Sequence, residues 1–85
     1  MDRGILKTSF KGLNKETVLT NVDAIEALFL AVKSGAMDKH TAIAEAEHIV
    51  SEPIKKQIWG FAEEDVRSYL GRLRDAIRDY EPEDK

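Results

Sequence analysis

The stretch Ser9-Phe10-Lys11-Gly12-Leu13-Asn14-Lys15-Glu16-Thr17-Val18 decides how this chain is read, because it spells the entry to a helix and returns later in the sequence. Asn14 is a good N-cap, its side-chain oxygen placed to accept from the free N–H groups of the first turn. Leu13 and Val18 stand at the positions of a hydrophobic staple across that cap. Beyond it Val18, Val22, Ile25, Phe29 and Val32 recur at spacings of three and four, the apolar stripe of an amphipathic helix that should run to about Lys33. Ser34 and Gly35 supply its stop, Gly35 being free to take the positive φ of a C-terminal cap.

Laid 48 residues further on, the same pattern reappears with Gly12 over Gly60, Leu13 over Phe61, Glu16 over Glu64 and Val18 over Val66. The stripes coincide as well: Val22 falls on Leu70, Ile25 on Leu73, Phe29 on Ile77 and Val32 on Tyr80. Any two amphipathic helices can be slid into register, so the stripe by itself says little. The matched Gly, staple and Glu say more, since they belong to helix-entry geometry. The repeats cover about residues 9–32 and 57–80.

Between them, Asp38 can cap a short, alanine-rich helix carrying Ala42, Ile43, Ala46, Ile49 and Val50 on one face to about Ser51. Pro53 suits the first turn of a further short helical segment, with Ile54 and Ile58 at i and i+4, before Gly60 breaks it. Pro82 closes the last helix, and residues 81–85 form a frayed tail. Only Ile5 to Phe10 hints at strand alternation, and it is short. The expectation is a single all-α domain of three to four helices, with the two repeat helices paired and the middle one bridging them.

The motif around Gly12 resembles the N-terminal signature of the DivIVA family, bacterial proteins of cell division and polarity. Ser9, Phe10, Lys11, Gly12, Leu13 and Asn14, followed by Glu16 and Val18, carry the likeness, and Gly60, Phe61, Glu64, Asp65, Val66, Tyr69 and Leu70 repeat part of it. The two copies cover about half of the chain with a short, degenerate motif. The resemblance implies a non-catalytic adaptor or scaffold that binds a protein partner or the membrane periphery, and it implies that Phe10 and Lys11 sit on the loop that touches the bilayer. An exposed aromatic can enter the headgroup region while a cation meets lipid phosphate. This chain departs from the family pattern in having Leu13 for the usual aromatic, Ala62 for the usual capping Asp, and no long coiled coil after the last stripe, which spans about two heptads.

For Phe10, burial against the first helix is the commoner outcome for such a residue, and core filling between the repeats is likewise the commoner role for Trp59, which occupies the slot matching Lys11. If exposed, both become contact residues for a membrane or a protein.

Composition narrows the remaining options. Eighty-five residues, 42% hydrophobic and 34% charged, allow one small domain and one core, which excludes a large multidomain enzyme. Sixteen acidic against 13 basic residues give a net charge of −3, with the acidity confined to the second half: residues 1–40 hold 6 basic and 5 acidic residues, residues 41–85 hold 7 and 11. No domain-wide positive field exists for nucleic acid, and an anionic surface should meet the N-terminal entry loop first. The chain has no cysteine, hence no disulfide staple and no thiolate metal ligand. Packing, or a second subunit, must stabilise it.

Other chemistry fares poorly. His40 and His48 stand eight apart without the third ligand a helical metal site needs. Glu63, Glu64 and Asp65 lie in the first turn of a helix, where the macrodipole accounts for them without catalysis. No serine has a plausible His and Asp arrangement and no phosphate-cradling loop is present, so an enzyme is not expected. Arg67, Arg74 and Arg78, with Lys55 and Lys56, form the best basic patch, but Asp75 and Asp79 follow two of the arginines and make it a mixed, solvated face. A helix-turn-helix is the alternative architecture; its recognition helix would carry Glu45, Glu47 and Glu52 against a lone Lys39, which disfavours nucleic acid. The reading is therefore a cytoplasmic module needing no cofactor or metal. It pairs with itself as a dimer or with a protein partner, and makes weak peripheral contact with the inner face of the membrane. No apolar run approaches a signal peptide or a membrane span.

Overall fold

Two short strands and three helices follow one another as β1 (Thr8–Leu13), α1 (Lys15–Lys33), α2 (Lys39–Ser51), β2 (Lys56–Phe61) and α3 (Glu63–Asp79) in the computed structural model, which describes residues 6–81. The fold is therefore mixed α and β, and the all-α expectation is overturned. The segment after Pro53 is the point of failure. Ile54 and Ile58 have helical spacing, yet residues 56–61 pair with β1 as a strand.

The pairing explains why. Thr8 faces Phe61, Ser9 faces Gly60, Lys11 faces Ile58, Gly12 faces Gln57 and Leu13 faces Lys56, so the partners run in opposite order and the ladder is antiparallel. It continues one step beyond each strand: the Asn14 N–H donates to the Lys55 carbonyl at 2.7 Å, and the Ala62 N–H donates to the Lys7 carbonyl at 2.6 Å. These two bonds are the same bond seen from the two repeats, since Asn14 and Ala62 are 48 residues apart and so are Lys7 and Lys55. The sequence repeat is thus a pseudo-twofold axis passing between residues 10 and 11 and between residues 58 and 59.

The ladder is irregular where Leu13 also meets Phe61, its own repeat mate. Here the two strands cross. A Cβ on Gly12 would lie 2.3 Å from the Gly60 carbonyl carbon, and one on Gly60 would lie 2.2 Å from the Leu13 carbonyl oxygen. Only glycine permits such an approach. The crossing brings both helix starts together, and α1 and α3 leave it as a pair.

The paired helices bury their stripes against each other and against α2. Val18, Val22 and Ile25 from α1, and Val66, Leu70 and Ile77 from α3, are buried; Phe29, Val32 and Leu73 are partly buried against them. Tyr80, half-buried, closes the far end with its ring edge-on to Phe29, centroids 5.6 Å apart. Tyr69 and Leu6 belong to the core without belonging to either stripe as read from the sequence. α2 contributes only Ala42 and Ala46 as buried residues, small side chains that let it approach both repeat helices closely.

The caps follow the local chemistry. Asn14 Oδ1 accepts from the Thr17 N–H at 2.9 Å, Asp38 caps α2 through the Thr41 N–H at 3.2 Å, and Gly35 ends α1 at φ +82°. Ala62 gives α3 no side-chain cap, and Glu63, Glu64 and Asp65 place negative charge in its first turn instead. The frayed tail and the Pro82 stop, like Ile5 at the start, lie outside the described residues apart from Glu81.

Candidate functional site

The centre of the ladder projects beyond the helix starts, so side chains there have no layer to bury against. Phe10 is 56% exposed, Ile58 65% and Trp59 59%. Phe10 and Trp59 touch edge to face, centroids 5.5 Å apart at 78°, and Lys11 faces Ile58 across the ladder. The molecule measures 49 × 22 × 16 Å, a slender body with an apolar apex. The expectation that Phe10 and Trp59 fill the core is corrected by this exposure. A two-stranded ribbon has too little surface to cover an aromatic at its middle.

Trp59 adopts φ +62°, the only described non-glycine residue in the left-handed region. That conformation costs a side-chain-bearing residue about 1–2 kcal/mol. Its repeat mate Lys11 does not share it. The strain is therefore specific to the second copy and holds an exposed tryptophan against Phe10.

One lysine stands at the apex and three stand at the ends of the ladder. Lys7 and Lys55 end the two sides of the ladder, Lys56 begins β2, and Lys11 stands at the centre, all four exposed. Acidic groups stand beside those ladder ends, at the helix starts, where they have structural tasks. Asp65 accepts the Lys7 backbone N–H at 3.1 Å. Glu63 pairs with Lys56 and with Arg67, each at 3.4 Å, and its carboxyl is held below the usual carboxylate range by the Lys56 charge first and then by the Arg67 hydrogen bond.

Thus Phe10, Lys11 and Trp59 come together at one place, joined by Ile58. The repeat carried the signal for Ile58, since it occupies the position matching Phe10. Elsewhere the chemistry is bland. His40 and His48 line a wide, open groove on α2 with Thr41, Ala44 and Glu45, and His48 lies 3.3 Å from Glu52. No group of three metal-ligating side chains occurs among the described residues. Arg74 and Arg78 pair with Asp75 and Asp79, and Arg67 donates to the Val50 carbonyl, so the arginine face is a mixed one. Among the described residues no helix is long and apolar enough to cross a membrane. Compared with known proteins, the chain matches no family model, no curated protein and no solved structure.

Proposed function

We propose that this chain is a non-catalytic adaptor or scaffold module of the DivIVA type, docking through its apex on an anionic membrane surface. The observation that supports the reading is the exposure of Phe10, Ile58 and Trp59 together at one end, with Lys11 beside them at the ladder centre and Lys7, Lys55 and Lys56 exposed at the ladder ends. Apolar tips at headgroup depth with cations at the phosphate level are what an anionic interface accepts. The exposed acidic residues Glu45 and Glu47 of α2, with Glu52 just after it, point the preference away from nucleic acid.

The magnitude is modest. Fully burying a large apolar side chain is worth roughly 1.5–3 kcal/mol, and slightly more than half of each remains to be buried, so the three supply about 3–4 kcal/mol. Lys11, at the apex, adds about 1 kcal/mol near an anionic surface, while Lys7, Lys55 and Lys56 at the ladder ends are offset by Glu63 and Asp65. The total of about 4–5 kcal/mol corresponds to a dissociation constant between about 1 mM and about 0.2 mM. Such a module works by cooperating with other contacts.

Co-sedimentation with vesicles containing anionic phospholipid tests this. Wild type should bind these and not purely zwitterionic vesicles, and Phe10→Ala should weaken binding about 5- to 10-fold through the loss of about 1–1.5 kcal/mol. Absence of wild-type binding would overturn the membrane contact.

A further inference from the structure

The contact between the repeats joins two unlike copies of one unit. Repeat one supplies β1 and α1, repeat two supplies β2 and α3, and each provides the other's ladder partners and the facing half of its core. Nothing in that surface depends on both copies lying on the same chain. The restraint is the tether. α1 is 19 residues long, about 28 Å, and β2 begins beside Leu13 at the near end of that helix, so residues 34–55 must bring the chain back along its whole length. α2 makes this return while burying only Ala42 and Ala46 completely. The reversal before it, residues 34–36, is exposed and turns on Gly35 at φ +82°.

We infer that the paired repeats are exchangeable between copies. The partner fitting this surface is a second copy of the same chain, with residues 39–81 of each folding onto residues 6–33 of the other when the turn at 34–38 straightens. Every contact apart from the turn is rebuilt, and the product carries two apices. A short tether holds its ends at an effective concentration of about 1 mM, so the chain closes on itself when dilute. Exchange prevails when copies refold together near that concentration or when the turn cannot form.

Two measurements test this, and neither uses the apex as a docking site, so their failure is separate from that of the membrane reading. Deleting residues 34–36 joins Lys33 directly to Met37 and removes the reversal, while keeping Met37 for the core and the Asp38 cap on Thr41. Light scattering should give twice the wild-type mass, or a larger multiple, with wild-type helix content per residue. A folded monomer would overturn the inference, and so would an unfolded chain, because exchange restores every contact except the turn. In the full-length protein, which lacks cysteine, Lys11→Cys and Ile58→Cys chains are mixed, unfolded and refolded together at about 0.5 mM, near the effective concentration of the tether. A disulfide between the two variants should form well above the yield of Lys11→Cys with Thr41→Cys, an exposed off-register control. Equal yields would contradict exchange.

Discussion

Alanine at Gly12 places a methyl group where the Gly60 and Phe61 backbones already are. Its Cβ would lie 2.3 Å from the Gly60 carbonyl carbon, 2.4 Å from the Gly60 oxygen and 2.5 Å from the Phe61 oxygen, whereas ordinary contact begins at 3.4 Å. All three atoms are main chain, so no side chain can rotate away. The strands must part by about 1 Å, which strains or breaks the flanking bonds from Asn14 to Lys55 and from Ala62 to Lys7, each worth about 0.5–1.5 kcal/mol, and uncovers Leu13. Together these put the cost at about 4 kcal/mol or more, the range reserved for a named steric or core defect. A chain of this length has roughly 4–13 kcal/mol to lose. Gly12→Ala and Gly60→Ala should therefore remove most or all of the cooperative transition in a urea titration followed by far-UV circular dichroism. Gly71 and Gly35 are internal controls. Gly71→Ala, in a helix with the Arg74 side chain 3.9 Å from the added Cβ, should stabilise by about 0.5–1 kcal/mol. Gly35→Ala meets open space but sits at φ +82°, and should cost about 1 kcal/mol. If Gly12→Ala or Gly60→Ala stayed within about 1 kcal/mol of wild type, the crossing would not be as described.

Two further outcomes follow from the apex and the ladder. Trp59→Asn relieves about 1–2 kcal/mol of left-handed strain and forfeits about 0.5–1.5 kcal/mol of the edge contact with Phe10; stability should change by less than about 1 kcal/mol while vesicle binding falls severalfold, and a large stability loss would show that Trp59 is structural. Glu63 has a folded-state pKa below its unfolded value, so its contribution is present above the ordinary carboxylate range and fades as pH falls through the folded value. Glu63→Gln should consequently be less stable than wild type near neutral pH, with the gap closing in acid; a gap independent of pH would argue against the Lys56 and Arg67 pairing.

What could be read from the residues was whatever local chemistry controls. Asn14, Asp38 and Gly35 cap the helices as their side chains or backbone freedom require, and the stripes from Val18 and from Val66 mark the core faces. The 48-residue repeat located the symmetry before any pairing was known. The strands are not legible in the residues because nothing local forms them. Gly12 and Gly60 weaken a strand in isolation, and Lys56–Phe61 shows no alternation strong enough to outweigh the helical spacing of Ile54 and Ile58. Pairing with the other copy, which the chain reaches only after two helices, decides the matter. The repeat carries one clue: the hint of alternation ahead of Gly12 applies equally to the matching segment ahead of Gly60. The exposure of Phe10 and Trp59 was equally non-local, since it depends on where the ladder ends and the helices begin.

Trp59 is the chain's single tryptophan and stands at the apex, so its fluorescence reports directly on docking. On titration with anionic vesicles, the emission of the wild-type protein should shift to the blue and become shielded from an aqueous quencher, with both effects reduced by added salt and absent with zwitterionic vesicles. An emission maximum and quenching that stay unchanged across the anionic titration would contradict the docking of this apex on a membrane.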